Sequence, residues 1–117
     1  SLYYRKDRIK KIKSKIKKNI IRKNMGWCDD PKSKDYNKLI KFPYDFTAEK
    51  LYLKESIYDY ILVLDYNTKS TKRGMGSAIF LHIAKRNYKS TRGCIAISKR
   101  HMKILLDKIN KNTKIII

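Results

Sequence analysis

The sequence lacks the features that divide a chain into parts or place it in a membrane. It has only 4 glycines and 2 prolines in 117 residues, with no Gly/Ser-rich or Pro-rich linker and no internal repeat. No apolar run approaches the ~20 residues that a membrane-spanning helix needs. The opening SLYYRKDRIKK also lacks the apolar stretch of a signal peptide. We therefore expect residues 1–117 to form one soluble domain, large enough for a single core.

Acidic residues are scarce as well. The chain has 10 Asp and Glu against 30 Lys and Arg, a formal net charge of +20. This charge requires an anionic partner or environment, which nucleic acid, a membrane surface or an acidic wall polymer would each provide. Lysine predominates along the whole chain and is mixed with Ile, Asn and Tyr, which is also the pattern of a biased codon composition. Charge alone does not choose among these partners and a merely solvated lysine surface.

The second half of the chain is typical of short strands followed by one helix. Ser98 is placed to cap a helix with one buried face, and the closing TKIII has the composition of a strand. Together these patterns predict a mainly β or α+β domain. The predicted strands are IYDYILVLDYN, ending at Asn67, then Ser77 to Ile83 and Gly93 to Ser98, and the buried helix face comprises Met102, Leu105, Leu106 and Ile109.

The sequence predicts the secondary structure of the first half of the chain less clearly. In residues 8–23, Ile9, Ile12, Ile16 and Ile20 have the three- and four-residue spacing of an amphipathic helix, but KIKSKIK is equally consistent with a strand that has a lysine face. The next stretch, punctuated by glycine and proline, indicates loops around short extended pieces. Thr47 is placed to cap a short helix through AEKLYLKES.

A histidine and a cysteine lie at the ends of two predicted strands. If SAIFLHI and GCIAIS pair as neighbours, the loop AKRNYKSTR can bring the C-terminal end of the first, with His82, beside the start of the second, with Cys94. A histidine in hydrogen-bond reach can take the thiol proton and return it to a leaving group, so we expect the sulfur within about 4 Å of a ring nitrogen. Gly93 permits a sharp turn whose amides can bind an oxyanion, and Arg92 adds positive charge. This pattern predicts a cysteine acyl-transfer site.

Structural interpretations remain open for the same residues. A single histidine in an apolar strand is usually a packed core residue, and a single cysteine is usually a small buried hydrophobe. His101 is expected on the surface of the helix, and Cys28 is expected to pack near Trp27, too far from Cys94 to form a disulfide. The adjacent Asp29 and Asp30 lack a third ligand, so we expect no metal site and leave their role open.

The motif STRGCIAIS, with GSAIFLHI upstream, resembles the L,D-transpeptidase catalytic domain, the YkuD-like family. The signature of that family is a His, a variable loop and then Ser/Thr-x-Gly-Cys. His82 matches the first part, and the second part is matched by Thr91, Arg92, Gly93 and Cys94. The stretches GWCDDP, YDYILVLDYN and GMGSAIFLH are similar to the proteobacterial branch of the family.

The resemblance implies a β-rich sandwich or barrel with one or two short helices, in which residues 8–23 are extended rather than helical. It implies that Cys94 is the nucleophile and His82 the base, with backbone amides near Gly93 and Cys94 as the oxyanion hole and with Thr91 and Arg92 in the substrate site. The implied reaction is acyl transfer on peptidoglycan stem peptides, without metal or cofactor. The implied location is the periplasm or cell envelope, where anionic wall polymers are further possible partners.

Three departures from the family pattern accompany this match. The loop of 11 residues between His82 and Cys94 is shorter than in many members. Ala96 stands where many members have an arginine. The role of that arginine would therefore pass to Arg92 or be absent. The chain resembles the C-terminal two-thirds of the domain and is expected to lack N-terminal strands. The alternatives are therefore an inactive truncated relative or a basic module that binds nucleic acid or an anionic polymer, although no specific nucleic-acid motif is present.

Overall fold

A computed structural model describes residues 1–68, 71–84 and 95–115. The described residues form eight short strands followed by one helix, which confirms the predicted mainly β class. The elements are β1 (Leu2–Tyr4), β2 (Lys18–Ile20), β3 (Met25–Cys28), β4 (Leu39–Lys41), β5 (Ala48–Lys50), β6 (Tyr60–Val63), β7 (Phe80–Ile83), β8 (Ile95–Ile97) and α1 (Lys99–Lys108).

The strands form two sheets. The larger has five strands in the order β2-β1-β6-β7-β8, and the smaller has three in the order β4-β3-β5. In the larger sheet β1, β6 and β7 are successively antiparallel, while the outer strands β2 and β8 pair parallel to β1 and β7. The part of SAIFLHI in β7 pairs with the described part of GCIAIS in β8, so these strands are neighbours as expected. The pairing is parallel, and His82 therefore lies opposite Ala96 rather than opposite the first residue of β8.

Alternating side chains of the larger sheet contribute to two separate cores. Leu62 and Leu81, which pair with each other, pack with Met102 and Leu106 of α1 on one face. Ile61 and Phe80 point the other way and join a second core with Trp27 of the smaller sheet. The larger sheet thus lies between the helix and the smaller sheet, which explains why β6 and β7 are apolar at almost every position.

The C-terminal helix follows the sequence prediction closely. Ser98 is the N-cap, and its hydroxyl accepts a hydrogen bond from the His101 amide at 3.2 Å. Met102 and Leu106 are buried and Leu105 packs partly against the same core, while His101 is exposed as expected. A capping side chain of this kind contributes about 1 kcal/mol.

Residues 8–23 are not a helix. Only Lys18–Ile20 is a strand, pairing parallel with β1, so the extended alternative holds for this part of the segment. Ile9 and Ile16 nevertheless reach the core beneath the larger sheet, with the lysines between them exposed. The isoleucine spacing therefore reflects single residues of an irregular segment that are buried in the core. Periodicity alone does not distinguish this arrangement from one face of a helix.

The short helix expected after Thr47 is also wrong. Ala48–Lys50 is strand β5, in which Ala48 pairs with Cys28 and Glu49 with Trp27. The Asp29 amide donates to the Thr47 carbonyl at 3.3 Å, so the pairing continues past the strand. Hydrogen bonding to β3 outweighs the local capping preference, because a strand edge supplies partners for a whole row of backbone groups.

Two predicted strands are shorter than expected, and the described part of a third is not a strand. β6 ends at Val63, before the turn in which Asn67 has a φ of 55°. β7 begins at Phe80 rather than Ser77, because Ala78 has a φ of 57° that interrupts an extended chain. Residues 113–115 of the closing TKIII are not a strand, and residues 116–117 lie outside the described residues. The positions of Gly93 and Cys94 in the third predicted strand also lie outside them.

Arg5 connects the first strand to the loop that precedes β6. Its side chain is 4% exposed and contacts both oxygens of Asp7, with N···O distances of 2.8 and 2.7 Å. Nη1 donates to the Leu53 carbonyl at 2.6 Å, and the guanidinium lies 3.6 Å from the centre of the Tyr52 ring. The hydrogen bond from Arg5 lowers the pKa of Asp7 to about 2.

Replacement of Asp7 by Asn should make the stability of the protein change less with pH in the acid range. The pKa of Asp7 is lower in the folded than in the unfolded protein. The contribution of Asp7 to the free energy of unfolding is therefore complete above about pH 4 and disappears as the pH falls toward about 2. Asp7→Asn should therefore unfold at lower urea concentration than the parent at neutral pH, and the two midpoints should converge over that acid range. The exposed Asp45, changed to Asn, is the control. A gap between parent and Asp7→Asn that persists at about pH 2 would contradict this account.

Candidate functional site

His82 is a buried polar residue at the centre of the larger sheet. It lies in β7 between Ile61 of β6 and Ala96 of β8 and is 2% exposed. Its Nδ1 lies 2.8 Å from the carbonyl oxygen of Ile83. A carbonyl can only accept, so Nδ1 carries the proton and donates it there. In the neutral ring the basic lone pair is consequently on Nε2, which is the form a general base requires.

The His82 side chain lies on the face of the sheet that is opposite the helix. The Tyr58 ring meets it edge to face, with ring centres 5.5 Å apart and planes at 80°. Tyr58 makes a similar contact with Phe80, the residue two positions before His82 on the same face. These contacts hold the imidazole from the side of the smaller sheet, so that its orientation is set by packing as well as by the Ile83 carbonyl.

Glu49 brings a carboxyl group into the same space between the sheets. Its Oε1 accepts a hydrogen bond from the Tyr58 hydroxyl. The pKa of Glu49 is raised above its usual value, mainly by burial and further by the charge of Asp29, although the Tyr58 hydrogen bond and His82 act in the opposite direction. Glu49, Tyr58 and His82 therefore form one connected group, which we call the Glu49 cluster.

The other predicted site residues lie outside the described residues. These are Thr91, Arg92, Gly93 and Cys94, so the expected approach of the Cys94 sulfur to His82 stays a prediction. The described chain resumes at Ile95, which pairs with Leu81, and the next residue, Ala96, pairs with His82. Ala96 thus occupies a place beside the histidine, where its methyl group cannot supply the charge of an arginine.

Cys28 is a free thiol and is completely buried in β3. It follows Trp27, as the sequence analysis expected of a packing residue, and the Tyr44 hydroxyl lies 3.6 Å from its sulfur. Asp30 accepts from the amides of Lys32 and Thr47 at 3.0 and 3.3 Å, and the first of these bonds is the main cause of its lowered pKa. Asp30 therefore joins the turn after β3 to the start of β5.

The described residues contain neither a metal-binding cluster nor a membrane-spanning helix. No group of three or more His, Cys, Asp or Glu side chains among them is arranged to hold a metal ion. No helix in the described part of the chain has the length and apolar composition to cross a membrane.

A groove of about 1360 Å³ lies at another place on the surface. Tyr3, Trp27 and Tyr66 are among the residues that line it, together with the segment that follows the helix. None of the three members of the Glu49 cluster lines it. The groove and the buried histidine are therefore separate features of the described structure.

Sequence reasoning identified His82 but missed Tyr58, which packs against it, and Glu49, which accepts a hydrogen bond from Tyr58. The sequence pattern predicts a short helix at Glu49 and a strand rich in aromatic residues at Tyr58. The three positions are separated by 9 and 24 residues along the chain, and no motif connects them. The one available signal was a single acid in an otherwise basic and apolar stretch, which does not specify a partner.

Comparisons with known proteins give one match. The family model for the YkuD L,D-transpeptidase catalytic domain matches residues 4–117. Neither the curated proteins nor the solved structures contain a match to this chain.

The geometry at His82 predicts a definite tautomer. With the ring neutral, the hydrogen should be on Nδ1, because the Ile83 carbonyl accepts there. Nitrogen-15 NMR of labelled protein, in which exposed His101 is replaced by Asn to leave one histidine, distinguishes the two ring nitrogens. Protonation of Nε2 in the neutral ring would show that the carbonyl does not hold His82 as described.

Proposed function

This chain belongs to the YkuD family of L,D-transpeptidase catalytic domains, and we propose that it is a cysteine acyltransferase that acts on peptidoglycan stem peptides. Membership supports an enzyme of the L,D-transpeptidase type with a peptidoglycan substrate. Our proposal adds the residues: Cys94 is the nucleophile and His82 is its base. The observation that carries it is the hydrogen bond from Nδ1 of His82 to the Ile83 carbonyl, which leaves Nε2 as the basic nitrogen.

The strand pair β7 and β8 supports the choice of Cys94. β8 begins at Ile95, directly after Cys94 in the sequence, and Ala96 pairs with His82. Side chains alternate along a strand, so the face that carries Ala96 is the face for the residue two positions earlier. We propose that Cys94 shares this face with His82, close enough for proton transfer.

The first half of the proposed reaction forms an acyl-enzyme. Nε2 of His82 takes the Cys94 proton, and the thiolate attacks the carbonyl of the bond between the L-centre of the diamino acid and the terminal D-residue. Amides near Gly93 and Cys94 stabilise the resulting oxyanion, with Arg92 and Thr91 contacting the substrate. The C–N bond then breaks, the imidazolium gives its proton to the departing amine, and a thioester remains on Cys94.

The second half releases the acyl group to an acceptor. An amine of a second stem peptide, or water, loses a proton to His82 and attacks the thioester carbonyl. Collapse breaks the C–S bond, and the sulfur recovers its proton as the Cys94 thiol. Transfer to an amine produces a cross-link, and transfer to water produces a shortened stem peptide.

We also propose the setting in which this reaction occurs. The peptidoglycan substrate implies the cell envelope, and we assign the periplasm as the compartment. A net charge of +20 fits an environment of anionic wall polymers. Residues 1–117 act as one catalytic domain, since the two cores lie on opposite faces of a single sheet.

The two cysteines should react very differently with an alkylating agent. If His82 favours the thiolate of Cys94, brief labelling with iodoacetamide at mildly acidic pH should modify Cys94 well before the buried Cys28. A carbapenem, which resembles the acyl donors of the family, should show the same preference. Peptide mass mapping measures both, and His82→Ala should slow labelling of Cys94 while its far-UV circular dichroism stays unchanged. Equal labelling of the two cysteines would contradict the proposed nucleophile.

Activity should depend on Cys94 and not on Cys28. Incubation with a disaccharide tetrapeptide that ends in a D-residue should release that residue and yield a cross-linked or a shortened product, as measured by mass spectrometry. Cys94→Ala should abolish both products, because no thioester can form. Cys28→Ala is the matched control and should retain them if the protein stays folded. Equal product from parent and Cys94→Ala would exclude the mechanism.

A further inference from the structure

We infer that Glu49 is a positioning residue for His82, acting both through the Tyr58 ring and through its own negative charge. This inference rests on the proposed function, since it describes how the fold prepares the proposed base. It concerns residues from three distant parts of the chain: strand β5, the turn before β6, and strand β7.

The first part of the argument is mechanical. Tyr58 is 4% exposed, and its ring lies against both His82 and Phe80. Its hydroxyl donates to Glu49 at the other end of the ring. A phenol ring held by a hydrogen bond at its tip and by packing along its edge has little freedom to rotate. The imidazole in contact with that ring is correspondingly restrained.

The second part is electrostatic. The Glu49 carboxyl group and the His82 ring both contact the Tyr58 side chain, so they occupy the same space between the sheets. His82 is also among the groups that lower the pKa of Glu49. A carboxylate in this place stabilises a positive charge on the imidazole. When His82 takes the thiol proton, it becomes a cation in a buried place. A nearby carboxylate reduces the cost of that charge.

The surroundings make Glu49 suited to this role. Burial and the charge of Asp29 raise the pKa of Glu49, whereas the Tyr58 hydroxyl and His82 lower it. The carboxylate is thus best stabilised when its two neighbours in the cluster are in place. The neutral residues on the paired strands, Ile61 and Ala96, add no competing charge beside His82.

The two glutamates of the chain provide a matched experiment. Glu49→Gln keeps the size of the side chain and an oxygen that can accept from Tyr58, but it removes the charge. Glu55→Gln makes the same chemical change at an exposed position and serves as the control. Tyr58→Phe retains the ring against His82 and removes the hydroxyl that holds Glu49.

The readout is the rate of Cys94 alkylation by iodoacetamide at two pH values. At about pH 6 the thiolate depends on transfer of its proton to His82, whereas at about pH 9 the thiol ionises without that help. Glu49→Gln should slow alkylation about tenfold at the lower pH and change it little at the higher, and Tyr58→Phe should act in the same direction by about threefold. Glu55→Gln should match the parent at both values. An unchanged ratio of the two rates in Glu49→Gln would overturn the inference.

A second measurement does not involve Cys94. The pKa of Glu49, followed by the carbon-13 NMR signal of its carboxyl group, should be higher in His82→Ala than in the parent, because His82 lowers it. If Cys94 of the parent reacts no faster than Cys28 but this change is seen, the proposed nucleophile is wrong and the interaction of Glu49 with His82 holds. If the Glu49 carboxyl group titrates identically in both proteins, Glu49 does not act on His82 through its charge. Should Glu49→Gln fail to fold, Tyr58→Phe and this titration decide the question.

Discussion

The pairing of β6 with β7 is the constraint on which the rest of the described structure depends. Leu62 lies opposite Leu81, so their side chains enter the helix-side core together, and Ile61 and His82 share the other face. A slip of one residue in this register would turn every side chain of one strand to the wrong face. His82 would then point toward α1 and away from Tyr58. The register that builds two cores therefore also selects the environment of the histidine.

Buried polar groups are the second constraint. Within the described residues, every buried side-chain nitrogen and oxygen has a hydrogen-bond partner. Asn37 illustrates the rule, since its oxygen accepts from the Trp27 indole at 2.9 Å and its amide donates to the Tyr66 and Asn67 carbonyls. An unpaired buried polar group costs about 1–3 kcal/mol, so such bonds fix the loop after β6 onto the smaller sheet. The Glu49 cluster follows the same rule with ionisable groups.

The large positive charge is carried mainly by the exterior. Lys10, Lys11 and Lys13 are exposed, while the isoleucines among them reach the core. Exposed charges in water contribute little to the folding free energy, and their mutual repulsion is screened by salt. The charge therefore bears on the surroundings in which the protein works rather than on the arrangement of the sheets, which apolar alternation and hydrogen bonding determine.

The sequence by itself determined the fold class, the capped helix that begins after Ser98, and the family. These features depend on local signals: alternation, a capping hydroxyl and a short motif. Tertiary structure alone decided that residues 48–50 are a strand and that Ile9 and Ile16 are buried residues of an irregular segment. It alone also decided that Tyr58 contacts both His82 and Glu49. Each of these outcomes depends on a partner that is distant in sequence. A strand edge, a core and a buried charge are supplied by other parts of the chain, and no local pattern encodes them.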